Sequence, residues 1–160
     1  MMRKFAIALA VLLFGATMPG LAETSKPREP IEIEADQMEI VDADKRSVFT
    51  GTVVAKRSDM TLNADKIIAD YTEAKQADGT MKNQISNIDA TGHIVIVTKT
   101  QRVIGEWAKI NPVTNDMVVG GNVVLTEGKT VLKGPRLETN MDSKKMVMKG
   151  GRVKGSFVPQ

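Results

Sequence analysis

The sequence predicts an all-β protein, an elongated and twisted antiparallel structure that is either a jelly roll or a two-walled solenoid. Two observations support this fold class. Almost every segment after Ile31 alternates apolar and polar residues with period two, which is typical of strands with one buried face. A Gly-x-apolar-x-apolar pattern also recurs from Gly51, Gly92, Gly121 and, weakly, Gly151. Such an internal repeat indicates a fold that grows by stacking.

The first residues predict a targeting segment. A basic start at Arg3 and Lys4 precedes an apolar run that is too short to cross a bilayer comfortably, and small residues follow it. The next segment contains Pro27 and Pro30, which keep it out of a sheet. We therefore expect three parts: a cleaved signal peptide at 1–22, an N-terminal tether at 23–30, and one β domain at 31–160. The alternative for 1–22 is an uncleaved membrane anchor.

Composition excludes some classes of function. The 160 residues carry a formal net charge of +3 and no cysteine, and without residues 1–22 the net charge falls to about +1. A nearly neutral domain with scattered charges lacks the basic surface that phosphate backbones require, so we expect no nucleic acid as partner. An exported domain without cysteine must be held together by burial and backbone pairing.

The repeat predicts which side chains share a face. Apolar residues follow each repeat glycine at positions two and four, and others flank the acidic or proline corners at fixed offsets. Because residues two apart lie on one side of a strand, stacked units collect them into an apolar column. Its predicted members are Ile33, Met38, Val53, Leu62, Ile67, Ile94, Ile96, Val103, Ile110, Val123, Leu125, Leu132 and Leu137. From the residues alone, this column is either ordinary β packing or a path for lipid.

One segment departs from the repeat spacing. Residues 71–81 are polar nearly all round, contain Asp78-Gly79 and lengthen the first repeat interval by about a dozen residues. We expect them to form a loop insertion rather than a helix.

The two ends of the sheet predict sites of assembly. A first strand near Ile31 to Glu34 and a last strand near Arg152 to Val158 each leave backbone groups unpaired unless another strand covers them. Edge pairing with another copy or another protein is therefore a hypothesis, with Ile31, Ile33, Val153 and Phe157 as its candidate residues.

The polar candidates favour no catalytic or metal site. The recurrent Asp36, Asp65 and Glu106 are expected to be corner residues that accept backbone hydrogen bonds. His93 is the only histidine and has no thiol to join it, so we expect a solvent-facing residue, no metal and no cofactor. Trp107 is expected to pack, and the basic pairs at 56–57 and 144–145 to lie in solvated turns.

Four stretches in order carry a family resemblance. Residues 30–37 (PIEIEADQ), 49–53 (FTGTV), 62–68 (LNADKII) and the close of the chain at 152–159 resemble the LptA (OstA-like) periplasmic proteins, which carry lipopolysaccharide between the two membranes of Gram-negative bacteria. The resemblance implies a periplasmic β-jelly roll, open at both ends, whose interior holds the acyl chains of lipid A. It also implies end-to-end assembly between inner-membrane and outer-membrane partners of the same fold, with Ile31 and Ile33 facing lipid near the joint.

Three functions follow for comparison. The leading hypothesis is a non-enzymatic lipopolysaccharide carrier and bridge that contributes to outer-membrane biogenesis. The alternative is a structural β-stack that spaces other envelope proteins without carrying lipid. A hydrolase would need two carboxylates facing one cleft, and we do not expect one. No phosphate-binding loop is present in the sequence, so the energy for directed movement must come from a partner.

Overall fold

The structure, a computed structural model, describes residues 29–159. The predicted signal peptide and all of the tether before Glu29 lie outside the described residues. Ten antiparallel strands form, with a 3-10 turn at Asp42–Asp44 and no α-helix within 29–159. The strands are β1 (Glu32–Glu34), β2 (Gln37–Val41), β3 (Arg46–Arg57), β4 (Met60–Lys75), β5 (Met81–Val97), β6 (Gln101–Asn111), β7 (Asp116–Glu127), β8 (Thr130–Asn140), β9 (Lys145–Lys149) and β10 (Lys154–Ser156).

Each long strand pairs with its neighbours along the chain, from β3 to β8. At the N-terminal end β1 and β2 pair side by side with the two halves of β3, and at the C-terminal end β10 and β9 pair likewise with the two halves of β8. The sheet is thus a meander whose terminal strands are each split in two.

A corner in the long strands divides the sheet into two walls. At Gly51-Thr52, Gly92-His93 and Gly121-Asn122 both residues have positive φ, between 44° and 82°, and the pairing register shifts at each place. Consecutive left-handed residues turn a strand sharply, as bulges do. What we call the first wall contains β1, β10, and the segments 53–57, 60–64, 94–97, 101–105, 123–127 and 130–134. The second wall contains β2, β9, and the segments 46–50, 66–75, 81–91, 107–111, 116–120 and 136–140.

The acidic corners stack on the glycine corners. A Cβ placed on Gly51, Gly92 or Gly121 would collide with the side chain of Asp36, Asp65 or Glu106, respectively, and at the weak fourth unit Gly151 lies against Pro135. The acidic or proline residue and the glycine that recur in the sequence are therefore in contact where successive units meet. Glycine is required at these corners both by its positive φ and by this close approach.

The apolar side chains of both walls meet in one continuous core. Nineteen buried residues form a single cluster, including Phe49, Ile67, Ile94, Val119 and Leu137. The core lies between the walls from β3 to β8, and it contains ten of the thirteen residues predicted for the apolar column.

The prediction of a loop insertion at 71–81 is wrong. Strand β4 continues to Lys75, β5 begins at Met81, and only the tip between them turns, where Asp78 accepts hydrogen bonds from the amide and hydroxyl of Thr80. The segment is polar on both faces because this hairpin extends past the core, where no opposing wall buries it. Polar composition was therefore misleading about backbone pairing.

Candidate functional site: the apolar interior

The structure brings the predicted column residues together between the walls. Ten of them are buried: Val53, Leu62, Ile67, Ile94, Ile96, Val103, Ile110, Val123, Leu125 and Leu137. Ile31, Ile33 and Leu132 are half-buried and pack against the same cluster. Met38 differs, since it is 59% exposed at the N-terminal end.

The middle of the interior is filled by these side chains. Ile67 and Ile94, for example, are 0% exposed there. Toward the N-terminal end, near Ile31 and Pro112, the space between the walls is a cavity of about 20 Å³, room for roughly one water molecule. From the residues alone the column was either ordinary β packing or a path for lipid, and in this part of the interior the two walls pack against each other. Any long apolar ligand in this part must therefore separate the walls.

The interior opens toward the C-terminal end. A groove of about 590 Å³ lies between the hairpin tips of the two walls, a volume typical of small-molecule sites. We call it the methionine groove, because its lining includes Met60, Met117, Met141 and Met146. Polar side chains line its rim as well, among them Asp59, Glu127 and Lys144. A second space of about 300 Å³ adjoins it, lined by Leu125, Leu132, Leu137, Met146 and Met148 among others.

Polar contacts bridge the walls beside this groove. Arg57, at the end of β3 in the first wall, donates from Nη1 to Oδ1 of Asn115 at 3.1 Å. Asn115 lies in the turn between β6 and β7 and donates from Nδ2 to both carboxylate oxygens of Asp142, each at 3.0 Å. The amide of Met141 donates to the Asn115 carbonyl at 2.9 Å. Asn115 thus connects Arg57 to the turn that follows β8.

Sequence reasoning missed the lining of the methionine groove. The predicted apolar column did not include Met60, Met117, Met141, Met146 or Met148. The alternation at 146–148 was the available signal, since β9 pairs with β8 so that Met148 lies opposite Leu137, a column residue. Unbranched thioether side chains adapt to flexible apolar partners.

The carboxylates at two of the corners bond to neighbouring side chains. Asp65 bonds to Nδ1 of His93 at 2.7 Å, and Glu106 accepts from Nδ2 of Asn122 at 2.7 Å. The sequence predicted backbone donors to these two carboxylates, whereas the bonds seen here come from the side chains that follow the corner glycines. The His93 side chain is 89% exposed, as predicted.

Two further polar predictions have clear outcomes. Trp107 packs as expected, since its ring lies where a Cβ on Gly120 would be. Lys56 and Lys144 are exposed as expected, but Arg57 is half-buried because it bonds to Asn115.

Each end of the sheet presents two unpaired edges within the described chain, whereas the sequence predicted one. Ile33 is on β1 and Ile31 precedes it, while Val153 and Phe157 flank β10 and are 42% and 67% exposed. Strands β2 and β9 supply the second edge at their respective ends. Both walls therefore stop at strands that have backbone groups free for pairing.

Two carboxylates near the C-terminal end have lowered pKa values. A hydrogen bond from Lys149 is the main reason that the pKa of Glu138 lies below its ordinary value, with help from Arg136. The pKa of Asp116 is lowered by hydrogen bonds from Thr114 and then Asn140. The Glu138 bond links β8 to β9, and the Asp116 bonds link the start of β7 to β8 and to the turn that precedes β7.

The fold and interior define a class: a two-walled antiparallel β-jelly roll with an apolar interior and unpaired edges at both ends. The family model for the "LptA/(LptD N-terminal domain) LPS transport protein" matches residues 32–145. The chain belongs to this lipopolysaccharide transport family, as its resemblance to the LptA-like proteins predicted.

Individual relatives agree with the family assignment. An uncharacterized protein of Rhizobium meliloti (strain 1021) is 30% identical over 98% of this chain and 92% of its own length. The lipopolysaccharide export system protein LptA of Escherichia coli (strain K12) is 27% identical over 96% of this chain and 84% of its own.

A solved structure confirms the fold. It is that of LptH, the LptA homologous periplasmic component of the lipopolysaccharide transport device of Pseudomonas aeruginosa, with a TM-score of 0.68 and 14% identity. The match covers 82% of this chain and 96% of that one. Separately, none of the helical turns within residues 29–159 is long and apolar enough to cross a membrane.

Proposed function

We propose that this protein is a non-enzymatic periplasmic carrier and bridge for lipopolysaccharide. It holds the acyl chains of lipid A between its two walls, leaves the sugar portion in water, and passes the lipid from the inner toward the outer membrane. End-to-end copies and Lpt partners of the same fold complete the path. The observation that carries this proposal is an apolar interior that continues into the methionine groove at the C-terminal end, in a member of a lipopolysaccharide transport family.

The physical argument rests on apolar area. Each Å² of acyl chain left in water costs about 25 cal/mol, and contact with the methionine groove removes part of that area from water. Aliphatic and thioether side chains suit flexible chains because they adapt their shape.

Because the centre of the molecule is packed, bound lipid must change the conformation of the protein. Buried residues such as Ile67 and Ile94 now fill the space between the walls. Lipid that moves beyond the methionine groove must replace contacts between the walls with contacts to acyl chains. Because both kinds of contact are apolar, replacing one by the other changes the free energy little. Bound lipid then shifts the protein from the conformation with packed walls toward one with separated walls. A surface of near-uniform affinity permits movement without giving it direction.

Two neighbouring residues of β9 provide a matched test. Met146 lines the methionine groove and is 37% exposed, whereas Val147 is 38% exposed and lies in the adjacent position, which faces the opposite side of the strand. A photo-reactive side chain at Met146 should crosslink to lipid A, and one at Val147 should not. Equal labelling would reject a defined lipid path. No labelling at either position, with edge assembly intact, would favour the structural β-stack.

A further inference from the structure

The two ends of the molecule carry opposite charge. Residues 29–41 contain five acids and no lysine or arginine, and residues 144–159 contain five cations and no acid. All ten charged residues are exposed: Glu29, Glu32, Glu34, Asp36 and Glu39 at one end, and Lys144, Lys145, Lys149, Arg152 and Lys154 at the other. Among residues 29–159, ion pairs match only part of this charge, namely Lys56 with Glu34 at 3.6 Å and Lys149 with Glu138 at 2.7 Å.

The acidic end separates apolar and charged side chains by face. Ile33 lies opposite buried Ala55, so Ile33 faces the interior, and the neighbouring positions Glu32 and Glu34 face outward. On β2, Met38 lies opposite buried Phe49 and Ile40 opposite buried Ser47. These two apolar residues therefore face inward but are 59% and 64% exposed, because no strand continues the wall beyond them.

The basic end has the same alternation. Met146 and Met148 line the interior spaces, and Lys145 and Lys149 occupy the outward positions of β9. On β10, Gly155 lies opposite Leu132, with the Phe157 ring against it, and Lys154 lies opposite Lys133. Each wall therefore ends in inward apolar and outward basic residues.

The orientation of the strands fixes how two ends can meet. In the first wall, Glu34 and Lys154 lie toward the corner, while Glu32 and Ser156 lie toward the hairpin tips. Continuing that wall from one copy into the next pairs β10 with β1 in the antiparallel sense, with Lys154 opposite Glu34 and Gly155 opposite Ile33. In the second wall β9 pairs with β2, so that Glu39 lies opposite Val147 and diagonal to two lysines of β9.

We propose that these charges set the register of the end-to-end joint and exclude joints between two like ends: Lys154 of one copy pairs with Glu34 of a second copy of this chain, and Lys145 and Lys149 flank Glu39 of that copy. This inference rests on the end-to-end assembly in the proposed function and specifies its joint. Opposite charges directly across two strands stabilise pairing and like charges oppose it. A joint between two N-terminal ends would bring acids against acids, and one between two C-terminal ends cations against cations. The permitted joint also covers Met38 and Ile40 with Met148 and Met146, which makes the interior continuous.

Disulfide trapping tests the register. A Glu34→Cys copy mixed with a differently tagged Lys154→Cys copy should give a mixed disulfide dimer, because directly opposite residues have the short Cβ separation that a disulfide needs. The matched control is Glu32→Cys with Lys154→Cys, displaced by two residues along the same face, and we expect at least tenfold less product. Equal yields from the two mixtures would overturn the proposed register.

Charge reversal tests the role of the charges. The variant K145E/K149E/K154E should lose at least tenfold in association with wild-type copies, and recover it when mixed with E34K/E39K copies. Failure of that rescue, in variants whose circular dichroism matches wild type, would overturn the role of charge.

Lipid A crosslinking at Met146 is measured on the same charge-reversed variants. If lipid A still crosslinks but association is not recovered, only the proposed joint is rejected. If association is recovered but lipid A crosslinks to none of the variants, the carrier function is rejected and the proposed joint is retained.

Discussion

Arg57 donates a hydrogen bond of 3.1 Å from Nη1 to Oδ1 of Asn115, and this bond joins two residues that are 58 positions apart in the chain. Arg57 ends a strand of the first wall, and Asn115 lies in a turn of the second wall. Since Asn115 also bonds to Asp142, the contact connects the walls beside the methionine groove. This bridge adds a modest free-energy cost to separating the walls, and a cost of that size still allows them to separate.

Removing this bridge should loosen the interior. We expect Arg57→Ala and Asn115→Ala each to lower the free energy of unfolding by about 0.5–1.5 kcal/mol. The double variant should lose less than the sum of the two, because both substitutions remove one shared bond. Urea unfolding of the four proteins measures this coupling. Lys56→Ala, which changes an exposed neighbour, should stay within about 0.5 kcal/mol of wild type, and strictly additive losses would show that the bond contributes nothing.

The stacked corners predict a difference between two glycines. Gly92 and Gly128 both have positive φ, but a Cβ on Gly92 would collide with Asp65, and one on Gly128 meets nothing within 4 Å. Gly128→Ala should cost about 1–2 kcal/mol for the left-handed backbone alone. Gly92→Ala should cost about 1–3 kcal/mol more, the range typical of overpacking. Thermal and urea unfolding compare the two variants, and equal losses would mean that the Asp65 contact is unimportant.

Burial predicts a second matched pair. Ile94 is 0% exposed in the core, whereas Ile104 is 40% exposed on β6. Ile94→Ala should lower the free energy of unfolding by about 2–5 kcal/mol, since it removes buried methyl groups and leaves a cavity. Ile104→Ala should lose much less. Similar losses would indicate that the interior is not tightly packed.

The Glu138 contact predicts a pH dependence. Lys149 lowers the pKa of Glu138 in the folded protein, so between the folded and unfolded pKa values the unfolded chain binds more protons. The stabilisation is therefore present above the ordinary glutamate pKa and is lost as pH falls through the lowered value. Glu138→Gln should flatten this part of the curve of stability against pH. An unchanged slope below about pH 4.5, the ordinary glutamate value, would contradict the assignment.

Much of the fold could be predicted because the repeat is also a contact. Asp36, Asp65 and Glu106 each touch the corner glycine that follows in the chain. The residues that mark the repeat in the sequence are therefore the residues that join successive units, so one pattern predicted the strands, the corners and the inward face. The hairpin around Asp78 was missed for the opposite reason. Its strands lie beyond the core, and a strand without a buried face has no apolar alternation to reveal it.

The candidate site was predictable only in part. Alternation identified inward residues such as Leu62 and Val123, but it cannot show how far apart two walls stand. The closed centre and the open methionine groove depend on that separation, and so does the bond from Arg57 to Asn115. Likewise, the second edge at each end follows from the division of the terminal strands at the corner, which places β2 and β9 in the wall opposite β1 and β10.

The central claim is that the inward face of this fold binds acyl chains, and lipid A binding by the chain without residues 1–22 tests it most directly. Wild type and Val147→Asp should bind lipid A with similar affinity, and Met146→Asp should bind at least tenfold more weakly, because a carboxylate in the groove must lose its hydration when acyl chains enter. Absence of binding by wild type, or equal affinity of the two aspartate variants, would contradict the account.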